Sequence, residues 1–119
     1  GNIEAVKSRA EEWHDGVGTC DVVTARALAP LPVLVEYAAP LLQEGGVLVA
    51  WKGSPSTEEV EAANVAAGMV GMEAAGIVQV EPWSGGGQRA LVGYRKITAT
   101  PDRFPRRAGM AAKRPLGGL

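Results

Sequence analysis

Cysteine and histidine occur once each in the 119 residues, as Cys20 and His14, and aromatic residues make up only 5%. A lone cysteine excludes an intramolecular disulfide. His14 sits in a polar turn with no cysteine or carboxylate at metal-ligand spacing, which argues against zinc and leaves no metal site to propose. No apolar run reaches the ~18 residues of a bilayer-crossing helix, and there is no basic-then-apolar leader and no lipidation signal. These absences point to a protein of the reducing cytoplasm that keeps clear of membranes.

What is present is globular in balance, with 46% hydrophobic and 21% charged residues. The length suits one small domain. The net charge of −1 hides a partition. Residues 1–88 carry Lys7, Arg9, Arg26 and Lys52 against twelve acids, whereas residues 89–119 carry eight cations against Asp102 alone. Such asymmetry suits a C-terminal end that meets a polyanion, and equally a solvated basic tail. The chain opens at Gly1 without an initiator methionine, and we read it as a piece of something longer.

Apolar periodicity divides the chain. Asn2 to Lys7 alternates weakly around Ile3 and Val6 and suits a short strand, and Asp15 to Gly18 is a turn. Asp21 to Ala25 is a β-branched run that fits a strand covered on both faces, with Arg26 at its C-terminal end. Pro32 to Leu42 has helical spacing, with Pro32 suited to a first turn. Pro40 should kink or end that helix, because it lacks an amide hydrogen and its ring would strike the Glu36 carbonyl. Gly45 and Gly46 lead into a buried strand, Val47 to Trp51.

Ser56 followed by Glu59 is a capping-box pattern, which predicts a helix to about Ala67. Gly68 to Gly76 reads as turn, Ile77 to Val80 as a strand, Ser84 to Gly87 as a loop and Ala90 to Ile97 as a last strand, antiparallel to its predecessor because the loop is too short for a crossover. From Thr98 the chain is rich in Pro, Gly and Arg without a period, so residues 98–119 should be an extended tail with few contacts behind a body at 1–97. The order of elements is that of an α/β layered fold with a mostly parallel sheet.

Four blocks then stand out: Ser8 to Glu12 (Ser-Arg-Ala-Glu-Glu), Asp21 to Ala27, Gly45 to Gly53, and the tail from Arg103 to Gly117. Together they resemble the bacterial 16S rRNA guanine-N7 methyltransferases, also called glucose-inhibited division protein B, over essentially the whole chain. The resemblance implies a Rossmann-like class I methyltransferase fold, S-adenosyl-L-methionine as cofactor, 16S rRNA or the small ribosomal subunit as partner, and N7 of guanine 527 as target. It implies a monomer for the intact protein. The family's glycine-rich cofactor loop and the acid after its second strand have no counterpart here. The chain is therefore expected to hold only strands three to seven of a sheet ordered 3-2-1-4-5-7-6. Such a piece is expected to be inactive alone, with a gap in its sheet and with residues 1 to about 20 unable to keep their native position.

The resemblance also carries residues. Ala10 and Glu11 match the cofactor-contacting pair beside the adenosine, and Arg26 matches a cofactor-contacting arginine that we expect to act as an electrostatic organiser. By strand position alone, Ala10, Glu11, Arg26 and Lys52 share the carboxyl ends of the strands, where open α/β sheets bind ligands. Without the resemblance, Glu11 reads as a solvated loop acid and Arg26 as a surface ion pair. Lys52 reaches RNA phosphate, lines the site or is simply solvated. Arg103, Arg106, Arg107, Lys113 and Arg114 resemble the family's basic tail, and guanidinium groups suit bidentate phosphate contact.

Other conspicuous residues point elsewhere. Cys20 reads as a small core residue rather than a nucleophile. Gly85 to Gly87 is no phosphate loop, since strand rather than helix follows it. Trp13, Trp51 and Trp83 read as packing, with Trp51 near the expected cleft. Two competing functions remain open: a non-enzymatic rRNA-binding module, for instance a ribosome assembly factor, and a methyltransferase of small molecules, against which the basic tail argues.

Overall fold

The structure, a computed structural model, describes residues 4–26, 29–80 and 89–118. Four strands, β1 (Cys20–Arg26), β2 (Leu42–Lys52), β3 (Met72–Val80) and β4 (Arg89–Lys96), form one sheet in the order β1-β2-β4-β3. Helices α1 (Leu31–Ala38) and α2 (Thr57–Val70) cover one face, and a short α3 (Met110–Lys113) lies in the tail. Ala10–Glu12, His14–Gly16 and Leu116–Gly118 are single 3-10 turns.

Helix boundaries follow local chemistry. Pro32 lies in the first turn of α1, and the helix stops at Ala38, before Pro40, as the missing amide requires. For α2 the Glu59 amide donates to the Ser56 hydroxyl at 3.1 Å, which is half of a capping box. The Glu59 carboxylate does not return to Ser56; it accepts from the Leu31 amide at 2.9 Å instead.

The helix α2 runs through Gly68 to Val70, further than its glycine suggests. Val70 is fully buried, and that burial outweighs the roughly 1 kcal/mol a helical glycine costs. The expected turn from Gly68 to Gly76 shrinks to Gly71. This residue has φ +86° and would bring a Cβ to 2.7 Å from the Thr98 carbonyl, so both backbone conformation and crowding demand glycine.

Strands β1 and β2 pair in parallel, whereas β4 lies antiparallel between β2 and β3. Three strands thus point the same way, but only one of the three pairings is parallel. The short β3–β4 connection forces the antiparallel return, as expected.

Three expectations need correction. Residues 4–7 form no strand, and Asn2 and Ile3 lie outside the described residues. A strand there would need neighbours that the chain lacks, so the sheet is a contiguous four strands without a gap. The Gly18 amide donates to the Pro40 carbonyl at 2.8 Å and the Cys20 amide to the Leu41 carbonyl at 2.9 Å, which ties the start of β1 to the residues after α1. Strand β1 is covered on one face only, with Val22 57% exposed, because both large helices lie on the same side.

The tail is not extended. Phe104, Ala111 and Leu116 are buried, α3 packs on α1, and the Leu116–Gly118 turn packs on α2. Sparse apolar residues without a period escaped the sequence reading, yet Phe104 and Leu116 join the same hydrophobic cluster as the core residues of α1, α2 and the sheet. The loop expected at Ser84 to Gly87 and the residues around Trp83 lie outside the described residues.

Candidate functional site

Parallel pairing sets Arg26 opposite Trp51 and Thr24 opposite Val49 at the carboxyl ends of β1 and β2. These residues share the face that neither α1 nor α2 covers. With Leu91 and Arg89 of β4 they line a depression of about 560 Å³. Its walls are the indole of Trp51 and the aliphatic side chains of Val49 and Leu91, and two guanidinium groups edge it. A flat, apolar ring fits such walls, and an anionic group fits its edge.

Trp51 therefore lines the candidate site rather than merely filling the core, and Arg89 joins it unforeseen. The signal for Trp51 was its parity: it alternates with Leu48 and Ala50, which face the helices and are fully buried. For Arg89 the signal was weaker, a cation on the strand that returns beside the end of β2.

Lys52 points the other way. Its ammonium pairs with the Glu59 carboxylate at 2.7 Å and donates to the Ala29 carbonyl at 3.4 Å, and its side chain is only 15% exposed. The expectation of a simply solvated lysine is corrected, because an acid on α2 pairs with it.

The shared address of Ala10 and Glu11 with Arg26 is corrected as well. Glu11 lines a second hollow of about 650 Å³ together with Leu42 and Lys96, at the end of β2 opposite to Trp51. Its carboxylate is buried, pairs with Arg9 at 3.2 Å and accepts from the Gly109 amide at 3.3 Å. Burial pushes its pKa up; the Glu11 and Gly109 amides, Tyr37 and Arg9 pull it down, and the balance lies below the ordinary value. With no strand before it to carry it along the sheet, Glu11 settles against the tail. In the same hollow Lys96 donates to the Ala39 carbonyl at 2.8 Å and the Leu42 carbonyl at 2.7 Å, closing orphan carbonyls beyond α1. Burial lowers its pKa.

Of the five tail cations, Arg106 has a structural partner. It clasps the buried Glu36 of α1 through its backbone amide at 2.9 Å and its guanidinium at 2.7 Å, and it also donates to the Arg114 carbonyl. Hydrogen bonding to Glu36 raises its pKa. Its guanidinium is thus engaged by an acid of this chain, which the sequence reading did not foresee. Arg103, Arg107, Lys113 and Arg114 remain exposed, Arg103 lying over the Phe104 ring at 4.9 Å. Cys20 is half-buried against the core, and His14 is exposed. No helix among the described residues is long and apolar enough to cross a membrane.

The chain matches a family model described as rRNA small subunit methyltransferase G over residues 1–92. It is similar to the ribosomal RNA small subunit methyltransferase G of Desulfitobacterium hafniense, with 39% identity over 96% of this chain and 49% of that protein. Against the protein of the same name from Deinococcus radiodurans the identity is 46%, over 97% of this chain and 47% of the relative. For Thermotoga sp. it is 41%, over 98% and 51%. The chain spans about half the length of the curated relatives it matches.

Proposed function

The chain belongs to the rRNA small subunit methyltransferase G family, and from that premise we propose that the intact protein is a cytoplasmic, monomeric, S-adenosylmethionine-dependent methyltransferase acting on N7 of guanine 527 of 16S rRNA. The observed order β1-β2-β4-β3, with β4 antiparallel, is the order that strands four, five, seven and six would have in a class I methyltransferase sheet, and it supports this reading. The observation that carries the reading is the depression where Arg26 stands opposite Trp51 at the strand ends.

The residues present fit part of the cofactor. Trp51, Val49 and Leu91 offer an apolar wall to a flat ring, and Arg26 offers a guanidinium to an anionic group. When bound, the cofactor supplies a methyl group on a positively charged sulfur. Guanine N7 carries an in-plane lone pair and loses no proton on attack, so the site needs no general base. Arg26 orients the reactants, and the apolar wall excludes water; the rate comes from positioning. The glycine-rich loop and the acid that grip the rest of the cofactor have no counterpart among these residues, so the chain alone is assigned no turnover.

Ala10 and Glu11 join the cofactor site only if the Glu11 carboxylate leaves Gly109 and Arg9. For RNA, the exposed Arg103, Arg107, Lys113 and Arg114 form the contact set that the tail supports.

The decisive experiment replaces Arg26 with Ala in the intact protein. It measures calorimetric binding of S-adenosylmethionine and methylation of naked 16S RNA, small subunits and small-molecule acceptors. Cofactor affinity or turnover should fall by about 100-fold, with methyl transfer confined to rRNA. Unchanged kinetics would remove Arg26 from the site, absence of cofactor binding in the unaltered protein would favour an rRNA-binding module, and methylation of small molecules alone would reverse the substrate class.

A further inference from the structure

The ion pair that claims Lys52 grips the polypeptide just beyond Arg26. Strand β1 ends at Arg26, and α1 starts at Leu31. Between them the Ala29 carbonyl accepts from the Lys52 ammonium at 3.4 Å, and next to it the Leu31 amide donates to the Glu59 carboxylate at 2.9 Å. Lys52 and Glu59 are themselves 2.7 Å apart, with side chains 15% and 14% exposed. One ion pair thus holds the segment after Arg26 by a carbonyl on one side and an amide on the other.

Each grip answers a local need. The Leu31 amide is a first-turn donor without an intrahelical acceptor, and Pro30 at the N-cap offers no side-chain oxygen. Glu59 supplies the missing acceptor from α2. Lys52 follows Trp51 at the end of β2, so the cation that fixes Ala29 is anchored one residue from the indole that faces Arg26. Elements β2 and α2 therefore converge on Ala29 and Leu31, which follow Arg26 closely in the chain. Shielding from water strengthens both charge-assisted bonds relative to a surface pair.

We propose that Lys52 and Glu59 are positioning residues for Arg26: their ion pair holds Ala29 and Leu31 and thereby keeps the Arg26 guanidinium at the depression beside Trp51. This rests on the role of Arg26 given above. Lys52 acts through Arg26 and touches neither cofactor nor RNA.

The test uses the intact protein and four variants: Lys52→Met, Glu59→Gln, Arg26→Ala and the double variant Lys52→Met/Arg26→Ala. Glu59→Gln keeps an acceptor for Leu31 while discharging the pair, and it carries the test if Lys52→Met does not fold. Each is read by thermal unfolding, calorimetric titration with S-adenosylmethionine, and the salt dependence of 16S RNA binding. The expected result is a folded Lys52→Met or Glu59→Gln protein whose cofactor affinity is about tenfold weaker, no further loss from Lys52→Met once Arg26 is gone, and an RNA salt slope equal to wild type.

Additive losses in the double variant, or unchanged cofactor affinity in both single variants, would overturn the proposal. So would an RNA salt slope lowered by about one phosphate contact in Lys52→Met, which would return Lys52 to the RNA surface. If instead Arg26→Ala itself leaves cofactor binding intact, the assignment of Arg26 fails and the proposal falls with it. That outcome differs from one in which Arg26→Ala is impaired and the pair's variants are not.

Discussion

The two faces of the sheet are made from alternating residues of the same strands, yet they have opposite fates. On one, Leu48, Ala50, Val92 and Tyr94 are all but sealed by α1 and α2; on the other, Val22 and Val78 are 57% and 58% exposed, and Val49, Trp51 and Leu91 are only half-covered. Apolarity is similar on both. Parity thus tells which residues share a face but not whether that face is filled. An apolar face that neither α1 nor α2 covers, ending in Arg26 and Arg89, has the composition of a binding wall, whereas the covered face has the close packing of a core.

The covered side also holds a charge, and removing its partner should give the largest effect. Glu36 is fully buried in α1, and Arg106 satisfies it three ways. Replacing Arg106 with Met leaves that buried carboxylate the backbone amide but no opposite charge, and should cost about 3–5 kcal/mol in urea unfolding. The double variant Glu36→Leu/Arg106→Met should recover most of the loss, since the uncompensated charge goes with it. A single variant as stable as wild type would mean the tail does not depend on this clasp.

Adjacent residues offer a sharper test of the two faces. Leu48→Ala opens a cavity under the helices and should cost about 2–5 kcal/mol. Val49→Ala, one residue on and facing the depression, should stay within about 1 kcal/mol, because the truncated side is already partly wet. Equal losses would show that the open face is packed as tightly as the covered one.

How far these contrasts could be read from residues alone depends on the range of the chemistry involved. The end of α1 at Pro40 and the start of α2 at Ser56 are written in one to four neighbouring residues and were legible, whereas the last turn of α2 and its left-handed stop at Gly71 were hidden in a stretch that read as turn from Gly68 to Gly76. Arg26 beside Trp51 was half legible: each falls at a strand end, but only the parallel register brings them together. The first strand was misjudged because pairing partners, not local apolarity, decide whether a strand exists. The clasp of Glu36 by Arg106 spans seventy residues, and the grip on Ala29 and Leu31 joins three elements; no periodicity reports such meetings. For the same reason Lys52 and Arg106 read as free cations until acids on the helices were found to claim them.

The smallest predicted effect concerns Tyr94, whose ring lies in the covered face and whose hydroxyl donates to the Asn64 side chain at 3.1 Å. Tyr94→Phe removes that bond and should cost about 1 kcal/mol at neutral pH. Burial, with help from the negative Glu59, pushes the phenol up to about 12 from an ordinary 10. A raised folded-state pKa means that the associated stability is fully present below pH 10. Between pH 10 and 12 the unfolded chain gives up the proton while the folded one keeps it, so stability falls. Lys96 acts with the opposite sign, since burial lowers its pKa from 10.5 and stability rises with pH until the unfolded lysine has also lost its proton. The difference between wild type and Tyr94→Phe cancels the lysine and isolates the phenol. That difference, measured by urea unfolding, should be constant up to pH 10 and then shrink; a difference that stays constant to pH 12 would show that the Tyr94 hydroxyl is as solvated as one on the open face.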